Sequence, residues 1–116
     1  MIIKYKKKRF DIKNVKKLSE FGKMTGLMFH RPEKCPAMLF EFNKPTRMKI
    51  HSLFVFFKFA AVWLDDKNKI IDLKIVKPFR FSISCKKPFC RLIEIPFNAK
   101  YSKILQTLVG WKDLNI

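Results

Sequence analysis

The sequence predicts a mainly β fold: a compact β-barrel or β-sandwich of about seven short strands with one or two short helices. Three observations predict it. Apolar and charged residues alternate with period two over 38–42 and 71–75, a block rich in Phe and Val over 50–64 carries no helical polar stripe, and turn-forming residues interrupt the chain at short intervals. With 116 residues, 48% of them apolar and 13 of them Phe, the chain has material for one core and is expected to form one domain, 1–116.

The elements follow in chain order. Segments 2–5 and 9–12 flank the basic run Lys6-Lys7-Lys8-Arg9, an exposed charged turn or an edge strand guarded by lysines. Asn14 is a candidate N-cap for one or two helical turns, because Val15, Leu18, Phe21 and Leu27 follow near helical spacing, with Gly22 and Gly26 limiting the length. Pro32 and Pro36 make 30–36 a loop. Next, Met38, Phe40 and Phe42 share one face of a strand, Leu39 and Glu41 take the other, and Asn43-Lys44-Pro45 ends it.

Block 50–64 suits two strands, or one strand with a bend near Lys58, and its continuous apolarity predicts cover on both faces. Asp65-Asp66-Lys67-Asn68-Lys69 is a turn, and Ile71, Leu73 and Ile75, alternating with Asp72 and Lys74, form the return strand of a hairpin. Residues 78–88 are basic and aromatic, and 92–95 form a short strand stopped at Pro96. Tyr101, Ile104, Leu105 and Leu108 then fall at helical spacing as far as Gly110, which is placed to stop the helix before a tail of 111–116.

The formal charge is +17, from 26 basic and 9 acidic residues. Such a charge concentrates nucleic acid, anionic lipid surfaces or phosphorylated ligands around the molecule, and the same enrichment in Lys also fits a heat-adapted or compositionally biased proteome. The apolar stretch 53–64 is broken by Lys58 and falls short of the ~20 residues that cross a bilayer as a helix, so no membrane insertion is expected. The start, charged within six residues, lacks the apolar region of a signal peptide, which gives a cytoplasmic expectation. Three cysteines, Cys35, Cys85 and Cys90, are expected as reduced thiols, although Cys85 and Cys90 would be near enough to bridge if they faced each other across a hairpin.

Gly26-Leu27-Met28-Phe29 with Arg31, Met38-Leu39-Phe40-Glu41-Phe42, His51 opening an aromatic stretch through Phe54 and Val55, Val62-Trp63-Leu64-Asp65, and Ile93-Glu94-Ile95-Pro96 form an ordered set of signatures. In these residues the chain resembles the domain of unknown function 192 family, small bacterial and archaeal proteins, over roughly residues 10–114; Gly110 to Asp113 is similar to the family's closing Gly-Asp region. The resemblance implies a compact β-rich fold and no established activity. Two departures stand out: Lys58-Phe59-Ala60 occupies the place where the family usually has Pro, an apolar residue and Asp, and Ala37 stands where a Gly is usual.

The chemistry-bearing residues divide into three readings. His30, Cys35, His51, Cys85 and Cys90 are zinc-ligand types, but no CxxC or HxxxH pair brings them together, so neither a metal nor another cofactor is expected. Cys35 or Cys85 with His51 would make an enzyme only if the fold assembled them, with Lys86 and Lys87 lowering the pKa of Cys85; no residue is assigned a catalytic role. The third feature is Lys77-Pro78-Phe79-Arg80-Phe81 followed by Lys86-Lys87-Pro88-Phe89 and Arg91, cations alternating with aromatics as single-stranded nucleic acid requires; Phe side chains facing the core and Lys facing water would give the same pattern. The expected function is therefore a noncatalytic binding module for an anionic ligand or partner, with single-stranded nucleic-acid binding through 77–91 as the alternative. Its candidate residues are Arg31, His51, Lys77, Phe79, Arg80, Phe81, Lys86, Lys87 and Arg91.

Overall fold

The computed structural model describes residues 1–18, 27, 30–31, 33–52 and 55–110. Their seven strands are β1 (Ile2–Tyr5), β2 (Lys8–Asp11), β3 (Val15–Lys17), β4 (Ala37–Thr46), β5 (Phe59–Leu64), β6 (Ile70–Val76) and β7 (Phe89–Pro96); a 3-10 turn (Ala99–Tyr101) leads into the helix α1 (Ser102–Val109). Strands β1 and β2 form a separate antiparallel hairpin, and the others form one sheet in the order β3-β4-β7-β5-β6. The mainly β expectation holds in its sandwich-like form. The barrel does not: β3 and β6 stand at opposite borders of an open sheet.

Burial explains why β5 sits inside. All six of its residues are buried, so the strand must be covered on both faces, as its unbroken apolarity predicts. Phe59, Ala61 and Trp63 join Met38, Phe40, Phe89 and Leu92 on one face. Ala60, Val62 and Leu64 join Ile93 and Ile95 on the other, where Tyr101, Leu105 and Leu108 of the helical segment and Ile3 and Ile12 of the hairpin region close the layer. Tyr101 fastens that layer with its hydroxyl, which accepts from the Ala37 N–H at 2.7 Å and donates to the Asn14 carbonyl at 3.0 Å.

Four local expectations change. Val15–Lys17 is a strand, not the start of a helix: Asn14 takes φ 53°, turning the chain, and Val15 pairs with Ala37 in the sheet's parallel contact. Phe21, Gly22 and Gly26 lie outside the described residues. Strand β4 continues through Asn43-Lys44-Pro45 to Thr46, with a break of register after Glu41 that lets Pro45 pass without a ladder bond. Among the described residues, block 50–64 gives one strand, which begins after Lys58, and Ile50 makes a bridge to Ile83. In β6, a register shift opposite Trp63 and Leu64 leaves Ile71 as the extra residue, so Ile71 packs with the Trp63 face while Leu73 and Ile75 pack with the helix face. The helix ends at Gly110 with φ 90°, as expected.

The β1–β2 hairpin closes through Lys6 and Lys7, both at positive φ (48° and 66°). A primed two-residue turn normally uses Asn and Gly there, because a Cβ in the left-handed region costs about 1 kcal/mol. Lys7→Gly is expected to raise stability by about 0.5–1 kcal/mol, read as an upward shift of the urea midpoint at unchanged slope; a lower midpoint would contradict it. No described helix is long and apolar enough to cross a membrane.

Candidate functional site

The site is built on Ser52. Its side chain is fully buried, and it is bonded on several sides by one turn. The hydroxyl donates to the Lys77 carbonyl (2.7 Å) and accepts from the Arg80 N–H (2.7 Å). Its backbone N–H donates to the Arg80 carbonyl (2.8 Å), and its carbonyl accepts from the N–H groups of Phe79 (2.8 Å) and Val55 (3.2 Å). Ser52 thus serves as a template around which residues 77–80 are folded, and it links them to the 55–57 segment.

That template holds Phe79 in the left-handed region, φ 62°, an unusual conformation for a bulky residue. Core packing does not account for the pose, because the ring is 52% exposed; Phe56 is 56% exposed and Phe81 83%. Phe56 and Phe79 meet edge to face, with centroids 5.5 Å apart at 74°. Lys77 and Arg80, both exposed, interleave with these rings. Beside them an open cleft of about 290 Å³ is lined by Lys74, Lys77, Arg80 and Ser82, with Ile75, Val76 and Ile83 as its apolar walls.

The remaining candidate residues are placed differently. Lys86 and Lys87 are exposed, and the Lys86 N–H donates to Asp72 at 3.1 Å, which anchors that end of the segment beside β6. Arg91 is half-buried and turned inward on the sheet: Nε reaches Glu41 (3.5 Å), and Nη1 donates to the carbonyls of Asp65 (3.4 Å) and Asp66 (3.1 Å) and to Asn68 Oδ1 (3.1 Å). It braces the 65–68 turn and lines a second cleft of about 520 Å³ together with Asp11, Lys13, Lys17 and Glu41. Lys17, and then Arg91, hold the Glu41 carboxyl below its usual value. Arg31 is exposed in the 30–36 loop, and His51 is exposed immediately before Ser52. The fold therefore gathers Lys77, Phe79, Arg80 and Phe81, keeps His51 next to their template, and gives Arg91 to another surface.

The thiols are free. Lys86 and Lys87 do not activate Cys85 as expected: burial, the largest influence, raises its pKa, outweighing the backbone groups of those lysines. Burial likewise pushes the Cys35 thiol up to about 11, aided by the charge of Glu94. Both thiols are protonated near neutral pH and are poor nucleophiles. Among the described residues no three of His, Cys, Asp and Glu gather as metal ligands.

Sequence reasoning missed Ser52, Phe56, Lys74 and Ser82. Ser52 left a trace, as a small hydroxyl residue inside an apolar block; Phe56 left none, because its exposure depends on how the 77–80 turn docks. It also missed Glu94, a buried carboxyl on β7 paired with Met38 on β4 and Ala61 on β5.

Comparisons with known proteins agree on the fold. The family described as uncharacterized ACR, domain of unknown function 192, matches residues 2–110. A protein of Pyrococcus furiosus named UPF0127 protein PF1050 is 27% identical over 71 residues, which is 61% of this chain and 60% of that protein, so the match spans less than two thirds of the relative's length. A crystal structure of a protein of unknown function from Novosphingobium aromaticivorans superposes with TM-score 0.61 at 15% identity, covering 78% of this chain and 65% of that one. A candidate transcription regulator from Sinorhizobium meliloti superposes with TM-score 0.70 at 16% identity, covering 89% and 81%. At such identities these likenesses show the fold alone.

Proposed function

The chain belongs to the domain of unknown function 192 family, whose proteins are uncharacterised, and from that premise we propose that it is a noncatalytic module that binds single-stranded nucleic acid on its basic aromatic face. The observation that carries this reading is the exposure of Phe56, Phe79 and Phe81 among Lys77 and Arg80. Core packing, the ordinary explanation for Phe, accounts for Phe57, Phe59 and Phe89, which are buried, and not for these three. Rings facing water beside cations suit bases that stack while phosphates pair, and stacking contributes about 1–3 kcal/mol per base. Unstacked bases are needed for this, which favours single strands over duplex.

The test is fluorescence anisotropy with a labelled oligonucleotide of about 12 nucleotides across a range of salt. Phe81→Ala and Phe79→Asn are each expected to weaken binding about 5- to 150-fold, with the slope of log affinity against log salt unchanged, because a ring is lost and no charge. Asn tolerates the left-handed backbone, so Phe79→Asn should stay within about 1 kcal/mol of the parent in stability. Equal affinity of all three proteins, with salt dependence alone, would overturn stacking and leave the broader reading of a binder of anions through net charge.

A further inference from the structure

We infer that the cleft lined by Lys74, Lys77, Arg80 and Ser82 is a phosphate seat, and that the strand therefore binds with one backbone phosphate held in this cleft while its neighbouring bases lie on Phe79 and Phe81. The inference rests on the proposed function and adds the place and the chemistry of the charged contact.

Lys74 is held in place before any anion arrives. The Lys74 ammonium donates to the Ser84 carbonyl oxygen and lies over the indole of Trp63, 5.7 Å from the ring centroid. A lysine already held gives up less rotamer freedom when an anion arrives. The backbone that carries Lys77 and Arg80 is fixed in turn by Ser52. Ser82 adds an exposed hydroxyl that rotates to donate.

Among the described residues no carboxylate lines the cleft. The nearest along β6 is Asp72, whose two oxygens accept from the N–H groups of Leu73 and Lys86. Three basic residues and a serine thus line a space of about 290 Å³, roughly ten waters' worth, which accommodates a phosphate group. The second cleft is different: it mixes Asp11 and Glu41 with Lys13, Lys17 and Arg91, so its charges compensate one another. Arg80, which lines the cleft, stands between Phe79 and Phe81 in the chain, so the phosphate contact and the exposed rings are neighbours along it.

The experiment compares Lys74→Met, which keeps an apolar stem over Trp63, with Lys103→Met on the exposed surface of α1, each protein first checked by thermal melting. Two probes are titrated across salt: the normal oligonucleotide and one of equal length made of abasic sugar-phosphate. Lys74→Met is expected to weaken both probes several-fold and to reduce the magnitude of the salt slope by about 0.7, the share of one phosphate on a single strand, while Lys103→Met changes neither. The abasic probe should bind more weakly and be indifferent to Phe81→Ala. If Lys74→Met behaves like Lys103→Met while Phe81→Ala still weakens the normal strand, the seat is refuted and the stacking face stands. If Phe81→Ala has no effect on either probe, the proposed function itself fails and the inference resting on it falls too.

Discussion

Glu94→Gln is expected to stabilise the protein increasingly as pH rises from about 5 to about 8, the opposite of the usual loss from disturbing a buried polar group. Glu94 is buried in the middle of the sheet, and burial pushes its pKa up to about 8. In the unfolded chain the same carboxyl releases its proton near 4.5, so between these values the unfolded state binds fewer protons than the folded one. Stability from this group is complete below pH 4.5 and is lost as pH passes through about 8, falling by at most about 1.4 kcal/mol per pH unit. Gln carries no such proton. Urea unfolding of both proteins from about pH 5 to about pH 9 should give a difference curve that climbs and then levels off; parallel curves would refute it. His30, whose pKa is lowered by burial and then by Lys16, contributes with the opposite sign and cancels in the difference.

Ser52→Ala is expected to produce the second large effect. The substitution strands the Lys77 carbonyl and the Arg80 N–H, and each such group costs about 1–3 kcal/mol if it stays buried. It also frees Phe79 from its left-handed pose, so affinity for single strands should fall although no ligand-facing atom has changed. Amide exchange at Phe79 and Arg80 should quicken well before the rest of the sheet responds. Ser82→Ala, an equally small change at an exposed position, should stay within about 0.5 kcal/mol of the parent in stability. Equal stability loss in the two variants would show that the 77–80 turn does not depend on Ser52.

Strong periodicity made part of the fold readable. The alternation at Met38, Phe40 and Phe42 and the apolar face of α1 follow from spacing, because the side chains of each set share one buried layer, and the hairpin from β5 to β6 follows from the turn residues at 65–69 between two apolar runs. Val15–Lys17 misled because three residues cannot display a period, and their strand character comes from pairing with Ala37, far along the chain. Ile71 misled because a bulge reverses the face of one residue without altering the composition around it. At the site, the alternating run at 77–81 was visible, whereas the decision between core and surface for its rings lay in hydrogen bonds from Ser52. Arg91 belongs to the same run by sequence, yet β7 carries it across to Glu41 and the 65–68 turn.

The bulge at Ile71 is one residue of slack in the chain. Pairing resumes beyond it, from Asp72 opposite Trp63 to Val76 opposite Phe59, and does not depend on how many residues precede it. A deletion in the 65–69 turn can draw Ile71 into the ladder and leave Lys74 on the face it occupies, whereas a deletion after Asp72 has no spare residue to absorb it and reverses every side chain on one side of the cut. Tolerance to length change in this hairpin is therefore confined to one end, and Lys74 lies on the intolerant side.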